Sequence, residues 1–312
     1  MMSWNTDRDG MTQVMSYSRS LWSSDRFRLF LVTFLPLVVF FAVFWVVPIA
    51  YALIMSLFQS PVEDQVFVGL GNYVDWLVDP AFHNAMTKSV VYAVSTTGLT
   101  LLVGLAAALA VNQDIRFGNT FRTLMIFTYL FPVIVAVFMW KFILDPNIGI
   151  MNQLLIGYEV IDRPISFFSE VDLAFPSIVL VSVWKWAAFA FFIILARLQA
   201  IDPDLYERAQ VMGATSWQMF RDITLPNLRG AILIILLVRG IWMFNKFDVI
   251  WLSTRGGPLS ATTTLPILIY ERAFIELQLG DAMALAGIMF ALLSVTAVIY
   301  FRIFKPSQEV AS

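Results

Sequence analysis

Two sets of residues within apolar surroundings have the types and spacing to hold a polar molecule. Arg239, Trp242, Met243 and Lys246 recur at i, i+3, i+4 and i+7, and Ser182, Lys185, Trp186 and Phe189 repeat that pattern. On a helix this spacing puts each set on one face. A face that combines a cation with aromatic rings suits a polar solute with an apolar ring face. Charges within lipid are rare and usually face a bundle interior or a watery cavity. Lys185, Arg239 and Lys246 converging on one cavity would repel each other unless an anion were near, so an anionic solute is expected. Asp248 could neutralise one of them, but it follows Lys246 by two residues and points elsewhere on a continuous helix. The alternative is a neutral solute, with Lys185 snorkelling toward the outer interface and Arg239 paired with a carboxylate or carbonyl of another subunit.

Catalysis is poorly served. The chain has no Cys, and His83 is its only His, which excludes disulfides, thiolate metal sites and paired-His metal sites. His83 is expected in an external loop as a surface side chain. The carboxylate pairs Asp75/Asp79 and Glu170/Asp172 lie in expected loops without the ligand density of a Ca²⁺ site, so no metal is expected. No G-x-x-x-x-G-K-[ST] sequence is present, so nucleotide phosphates are not cradled by that route. The net charge of −2 says little about partners, and no nucleic-acid partner is expected.

The elements that must position the two faces follow from hydropathy. Of the 312 residues 59% are hydrophobic and 13% charged, about half the usual charged share of a soluble domain. Lipid is therefore the solvent for most of the chain. A helix crosses a bilayer with roughly 20 mainly apolar residues. Charge-free stretches predict spans at about 30–57, 88–112, 121–143 and 281–302, and two further apolar segments near 174–197 and 230–252 carry internal charges. Backbone groups in lipid must be satisfied within the segment, so the six spans are expected to be helices. With both termini in the cytoplasm, the inner segments hold 12 of the 20 basic residues against 9 of the 22 acidic ones, in line with the positive-inside bias. Residues 1–28 are expected to be a cytoplasmic lead-in and not a cleaved signal, residues 29–306 the membrane domain, and residues 307–312 a cytoplasmic tail. Residues 59–87, 145–173 and 253–280 are expected to be external connections.

The remaining feature is the cytoplasmic loop 198–229. Asp202 before Pro203 predicts a capped helix start, Gly213 interrupts, and a second short helix should carry Trp217, Phe220 and Ile223 up to Pro226. Two short helices bent at a glycine, with an apolar stripe and no lipid to bury it, need a protein partner. The segment resembles the coupling motif of binding-protein-dependent ABC permeases, E-A-A-x3-G-x9-I-x-L-P. Glu207, Ala209, Gly213, Ile223, Leu225 and Pro226 fall at the motif's spacing, while Arg208 and Met212 depart from it. Phe244-Asn245-Lys246-Phe247-Asp248, Thr254-Arg255-Gly256-Gly257-Pro258 and Gly69-Leu70-Gly71-Asn72-Tyr73 are similar to carbohydrate permeases of the maltose type.

That resemblance implies an all-α, six-helix fold of the type I ABC importer permease. It implies assembly with a second, homologous permease as a heterodimer, two ATP-binding subunits and an external solute-binding protein, in the bacterial cytoplasmic (inner) membrane. ATP and Mg²⁺ would be bound by the ATPase chains, with no cofactor in this one. Residues Tyr206, Glu207, Ala209, Gly213, Ala214, Ile223, Leu225 and Pro226 would couple to the ATPase. The two faces, together with Tyr129 before Pro132, correspond to positions that line the sugar site of the maltose-type permease, which has neutral residues in place of Lys185, Arg239 and Lys246. The expected cargo is a sugar or glycoside, either anionic (sulfonated, phosphorylated or uronic) or a neutral oligosaccharide. A secondary transporter would need more ion-coupling carboxylates within the spans than Asp248. A membrane enzyme would need His or carboxylate clusters.

Overall fold

The computed structural model describes residues 24–59, 66–113 and 117–303. The tail 307–312 and all of the lead-in before Ser24 lie outside the described residues. So do Arg116 and Lys305, which enter the charge count above.

The described chain is helical, with an isolated bridge between Phe58 and Phe67. Helices α1 (Ser24–Phe41) and α2 (Val47–Met55) join through a π-helical turn at Ala42–Val46 to form the first span. α3 (Gly71–Val78) and α4 (Pro80–Asn112) follow, then α5 (Gly118–Leu130), α6 (Val133–Ile143) and α7 (Ile150–Gly157). α8 (Val171–Gln199) is the most deeply buried long helix, with 67% of its most apolar window inside the protein. α9 (Pro203–Val211) and α10 (Ser216–Met219) form the loop, and α10 runs through a π turn at Phe220–Thr224 into α11 (Leu225–Phe244). α12 (Asp248–Thr254), α13 (Leu265–Tyr270) and α14 (Leu279–Ile303) complete the order.

Among the described residues five helices are long and apolar enough to cross a membrane, or six if the bent pair α5–α6 counts as one span. The bend is the first departure from expectation. Residues 121–143 do not form one rod, because the chain turns by 104° between α5 and α6. Pro132 has no N–H to donate and its ring forces Phe131 out of the helical region, to φ −56° and ψ 133°. The second departure lies at 230–252. There α11 stops at Phe244, Asn245 and Lys246 close its last turn, and the Asp248 carboxylate accepts the Val249 N–H at 2.8 Å as α12 begins.

The connections expected to lie outside also contain more helix than expected. Asp79 caps α4 by accepting the Ala81 N–H at 2.6 Å, with Pro80 at the first helical position. Helix therefore begins eight residues before Lys88, and His83 sits in its first turns, still exposed. Asn72 on α3 donates to the carbonyls of Ser56 (2.8 Å) and Phe58 (3.1 Å), closing the end of the first span. Between α6 and α8, Asn152 clamps the connection, donating to the carbonyls of Asp145 and Ile165 at 3.1 Å each and accepting the Ile165 N–H at 2.8 Å.

The core is built on α4 against α8, with α11 laid beside both. Small residues allow the approach: a Cβ on Gly104 would come within 2.6 Å of the Ala190 Cβ and 2.8 Å of the Phe191 nitrogen. One apolar cluster gathers around Tyr92, Ile178, Met243 and Leu265, the other around Ala108, Phe191, Ile194 and Leu228. The first span contributes nothing buried to either (0% of its window). Overpacking this seam gives a test. Gly104→Val should lower stability by about 1–3 kcal/mol, read as a drop in unfolding temperature in detergent, whereas Gly98→Val, where a Cβ meets nothing within 4 Å, should not.

Candidate functional site

Trp186, midway along α8, is the hub of the internal polar cluster. Three cations stand near its ring: the Arg239 guanidinium carbon at 4.7 Å, the Lys246 ammonium at 4.7 Å and the Lys185 ammonium at 5.2 Å from the centroid. The three cations stand around one ring but differ in what they bind.

Lys185 is 2% exposed and donates to the carbonyls of Thr128 (3.0 Å) and Tyr129 (2.7 Å). Those oxygens belong to the last turn of α5, where the Pro132 break has removed their intrahelical donors. Lys185 is thus the C-terminal cap of a broken helix, placed where the helix dipole also favours a cation. It does not snorkel. The Tyr129 ring rests edge-on against Trp186 at 6.0 Å.

Lys246 lies just past Phe244, where the Asn245 and Lys246 N–H groups still bond the Ile241 and Met243 carbonyls at 3.2 Å each. Lys246 therefore follows the final turn of α11 and lines the same cavity as Arg239. The helix end before Asp248 corrects the reading of that residue: its two carboxylate oxygens accept from Lys246 Nζ at 3.0 and 3.1 Å. On a continuous helix the two side chains would diverge, whereas across a break they meet.

Arg239 is fully buried, and its Nη2 lies 3.8 Å from the Met243 sulfur. Phe189 and Trp242 flank it at 5.5 and 5.9 Å. Its Nε and Nη1, and the Trp186 Nε1, have no hydrogen-bond partner among the described residues. Among the described residues none of the four ion pairs includes Arg239. Buried N–H groups are nearly always paired, and leaving one unpaired costs about 1–3 kcal/mol, more for a charged group.

A cavity of about 340 Å³ opens beside these donors, lined by Trp186, Arg239, Trp242, Met243, Lys246 and Asp248 among others. Five of the nine sequence candidates line it; Phe189 flanks Arg239 from outside, and Tyr129 and Lys185 stand behind Trp186. Ser182 is turned away, sharing a 2.7 Å hydrogen bond with Tyr92 in the core. Sequence reasoning missed Tyr92 and set aside the pairing of Asp248 with Lys246. The one signal for Tyr92 was the spacing of Ser89, Tyr92, Thr96 and Thr100 along one buried face of α4.

The loop has the two-helix form read from sequence. Asp202 caps α9 by accepting the Asp204 N–H at 3.0 Å, and Gly213 ends the turn at φ +81°, a conformation that favours glycine. Thr215 and Gln218 form a capping box at α10. Ala209 is buried, its carbonyl accepting the Ala214 N–H at 2.9 Å. Tyr206 meets the Thr224 hydroxyl at 3.0 Å, and Ile223 packs on the inner apolar cluster. Glu207 and Gly213 are exposed, as are the large side chains of Val211, Met212 and Trp217. The second helix does not end before Pro226. The π turn at Phe220–Thr224 carries it into α11, with Pro226 in that helix's first turn where its missing N–H is tolerated.

Residues 100–310 match the family described as binding-protein-dependent transport system inner membrane component. The chain belongs to this family. It is a multi-pass permease subunit of an ABC importer in the inner membrane. The sulfoquinovosyl glycerol transport system permease protein SmoG of Agrobacterium fabrum is 30% identical over 298 residues, covering 94% of this chain and 95% of that one. The trehalose/maltose transport system permease protein MalF of Thermococcus litoralis is 30% identical over 274 residues, covering 86% and 91%. A chain of a bacterial ABC transporter involved in import of the acidic polysaccharide alginate superposes with a TM-score of 0.78 at 21% identity, covering 95% of this chain and 99% of that one. The fold is shared with it.

The Lys185 cap can be tested apart from transport. Lys185→Met frees two buried carbonyls and should destabilise the permease by about 1–3 kcal/mol, with faster amide exchange at the α5–α6 bend. Exchange there unchanged from wild type would remove the cap from the account.

Proposed function

We propose that this permease imports a sugar or glycoside bearing a negative charge, and that Arg239 is the group that recognises the charge. The observation that carries this reading is the pair of unpaired, buried Arg239 nitrogens beside a cavity. A charged donor in a low-dielectric site gains most from an anionic acceptor, and Trp186 and Trp242 offer aromatic faces to a sugar ring. A relative named for sulfoquinovosyl glycerol transport and another named for trehalose/maltose transport support sugar as the cargo class.

The assembly we infer has this chain paired with a homologous permease, two ATPase subunits that bind ATP and Mg²⁺, and an external binding protein that delivers the solute. Both termini of this chain face the cytoplasm. Residues 29–306 form the membrane domain, and the loop 198–229 meets the ATPase. Exposed Val211, Met212 and Trp217 beside Glu207 and Gly213 give the loop an apolar face for that contact. Closure of the ATPase dimer on ATP moves the loop, and the helices joined to it turn the cavity from one side of the membrane to the other. Hydrolysis in the partner chains resets it. The other candidate residues act around that cavity: Lys246, Trp242 and Met243 as lining, Phe189, Tyr129, Ser182 and Lys185 as its support.

Two measurements test this. In proteoliposomes holding the full importer, Arg239→Ala should cut uptake of an anionic substrate by roughly tenfold or more, with Lys246→Ala weaker; wild-type rates in both would end the reading. Gly213→Pro, which denies the loop its φ of +81°, should leave the assembly purifying with its ATPase but separate ATP hydrolysis from uptake. Fully coupled uptake would remove the loop from the coupling path.

A further inference from the structure

The charges around the cavity do not all remain available to a ligand. Lys185 is not among the lining residues, and its ammonium is spent on the Thr128 and Tyr129 carbonyls. Lys246 is held by both oxygens of Asp248, and one of those oxygens also takes the Val249 N–H at 2.8 Å. The carboxylate is therefore tethered to the start of α12 and is not free to swing away. The charged side chains lining the cavity are Arg239, Lys246 and Asp248, which sum to +1 (two cations less one anion).

We infer that the cavity is built to accept a single negative charge, and that Asp248 is the residue that sets this number. The inference rests on the anionic reading above and goes beyond it. A uronate or sulfonate placed against the unpaired Arg239 nitrogens brings the lining to neutrality. A phosphate monoester near neutral pH brings up to two negative charges. Its second charge would need Lys246, which is already paired, and would stand beside the Asp248 carboxylate, a like charge. Asp248 is thus a specificity-determining residue: it lowers the positive charge on offer from +2 to +1.

The test uses the complete importer with its binding protein in proteoliposomes at pH 8, above the phosphate's second pKa of about 6. The probes are methyl glucosides, galactosides and mannosides, each as the plain sugar, the uronide and the 6-phosphate. Binding-protein loading is measured separately for every probe. Within a ring type, wild type should take up the uronide faster than the 6-phosphate by roughly tenfold or more. Asp248→Asn, near-isosteric and still able to accept the Val249 N–H, should narrow that ratio to about threefold or less. The double variant Lys246→Met/Asp248→Asn returns the lining to +1 and should restore the uronide preference, an outcome that a merely structural role for Asp248 does not produce. Equal uptake of uronide and phosphate by wild type overturns the inference and leaves the anionic reading standing. So does an unchanged ratio in Asp248→Asn, or a double variant that behaves like the single one. Uptake of the plain sugars alone, or of no charged probe with any ring, overturns both.

Discussion

A helix broken inside a bilayer leaves carbonyl oxygens that lipid cannot satisfy, and the capture of two such oxygens by Lys185 is the contact on which the centre of this permease depends. Pro132 breaks the third span by its lack of an N–H and by its effect on Phe131. The ammonium that repairs the break comes from α8, the helix that also carries Trp186. The repair therefore fixes the α5 end beside the aromatic hub, and it withdraws one cation from the cavity. A single bond pair links backbone chemistry in one span to electrostatics in another.

The same principle of prior commitment distinguishes the remaining cations. Lys246 has Asp248, while Arg239 has a sulfur and three aromatic rings but no oxygen partner among the described residues. Aromatic rings can hold a guanidinium by its face and still leave its edge N–H groups unsatisfied. The cavity is thus a place where the positive group is positioned by apolar contacts and left short of acceptors.

Hydropathy made the spans legible, because a run of apolar residues has few other solutions in lipid. The spacing from Glu207 to Pro226 made the loop legible as well, since glycine at Gly213 and caps at Asp202 are local decisions. What escaped sequence reasoning were the ends and breaks of helices inside apolar runs. Residues 121–143 read as one rod because hydropathy counts Pro132 with its apolar neighbours; the proline is a sign of a break, but nothing around it gives the 104° size of the turn. The stop at Phe244 escaped for a related reason: Asn245 is a weak signal, and the Lys246–Asp248 pair that goes with it exists only once the helix has ended. Helical periodicity placed Lys246 at the cavity, and Ser182 at a face whose use is a hydrogen bond to Tyr92. The partners that decide a role came from other helices, which periodicity within one helix cannot reveal.

The π turn at Phe220–Thr224 has a mechanical consequence. It lets α10 and α11 run together as one helical segment of 29 residues from Ser216 to Phe244. Trp217, exposed at one end, and Arg239, enclosed near the other, are separated by about 33 Å of helix at 1.5 Å per residue. No loop interrupts the path between them. A push on the indole end is then delivered to the guanidinium end as by a connecting rod, with the wide turn near Pro226 as the one place along it where the ladder changes register.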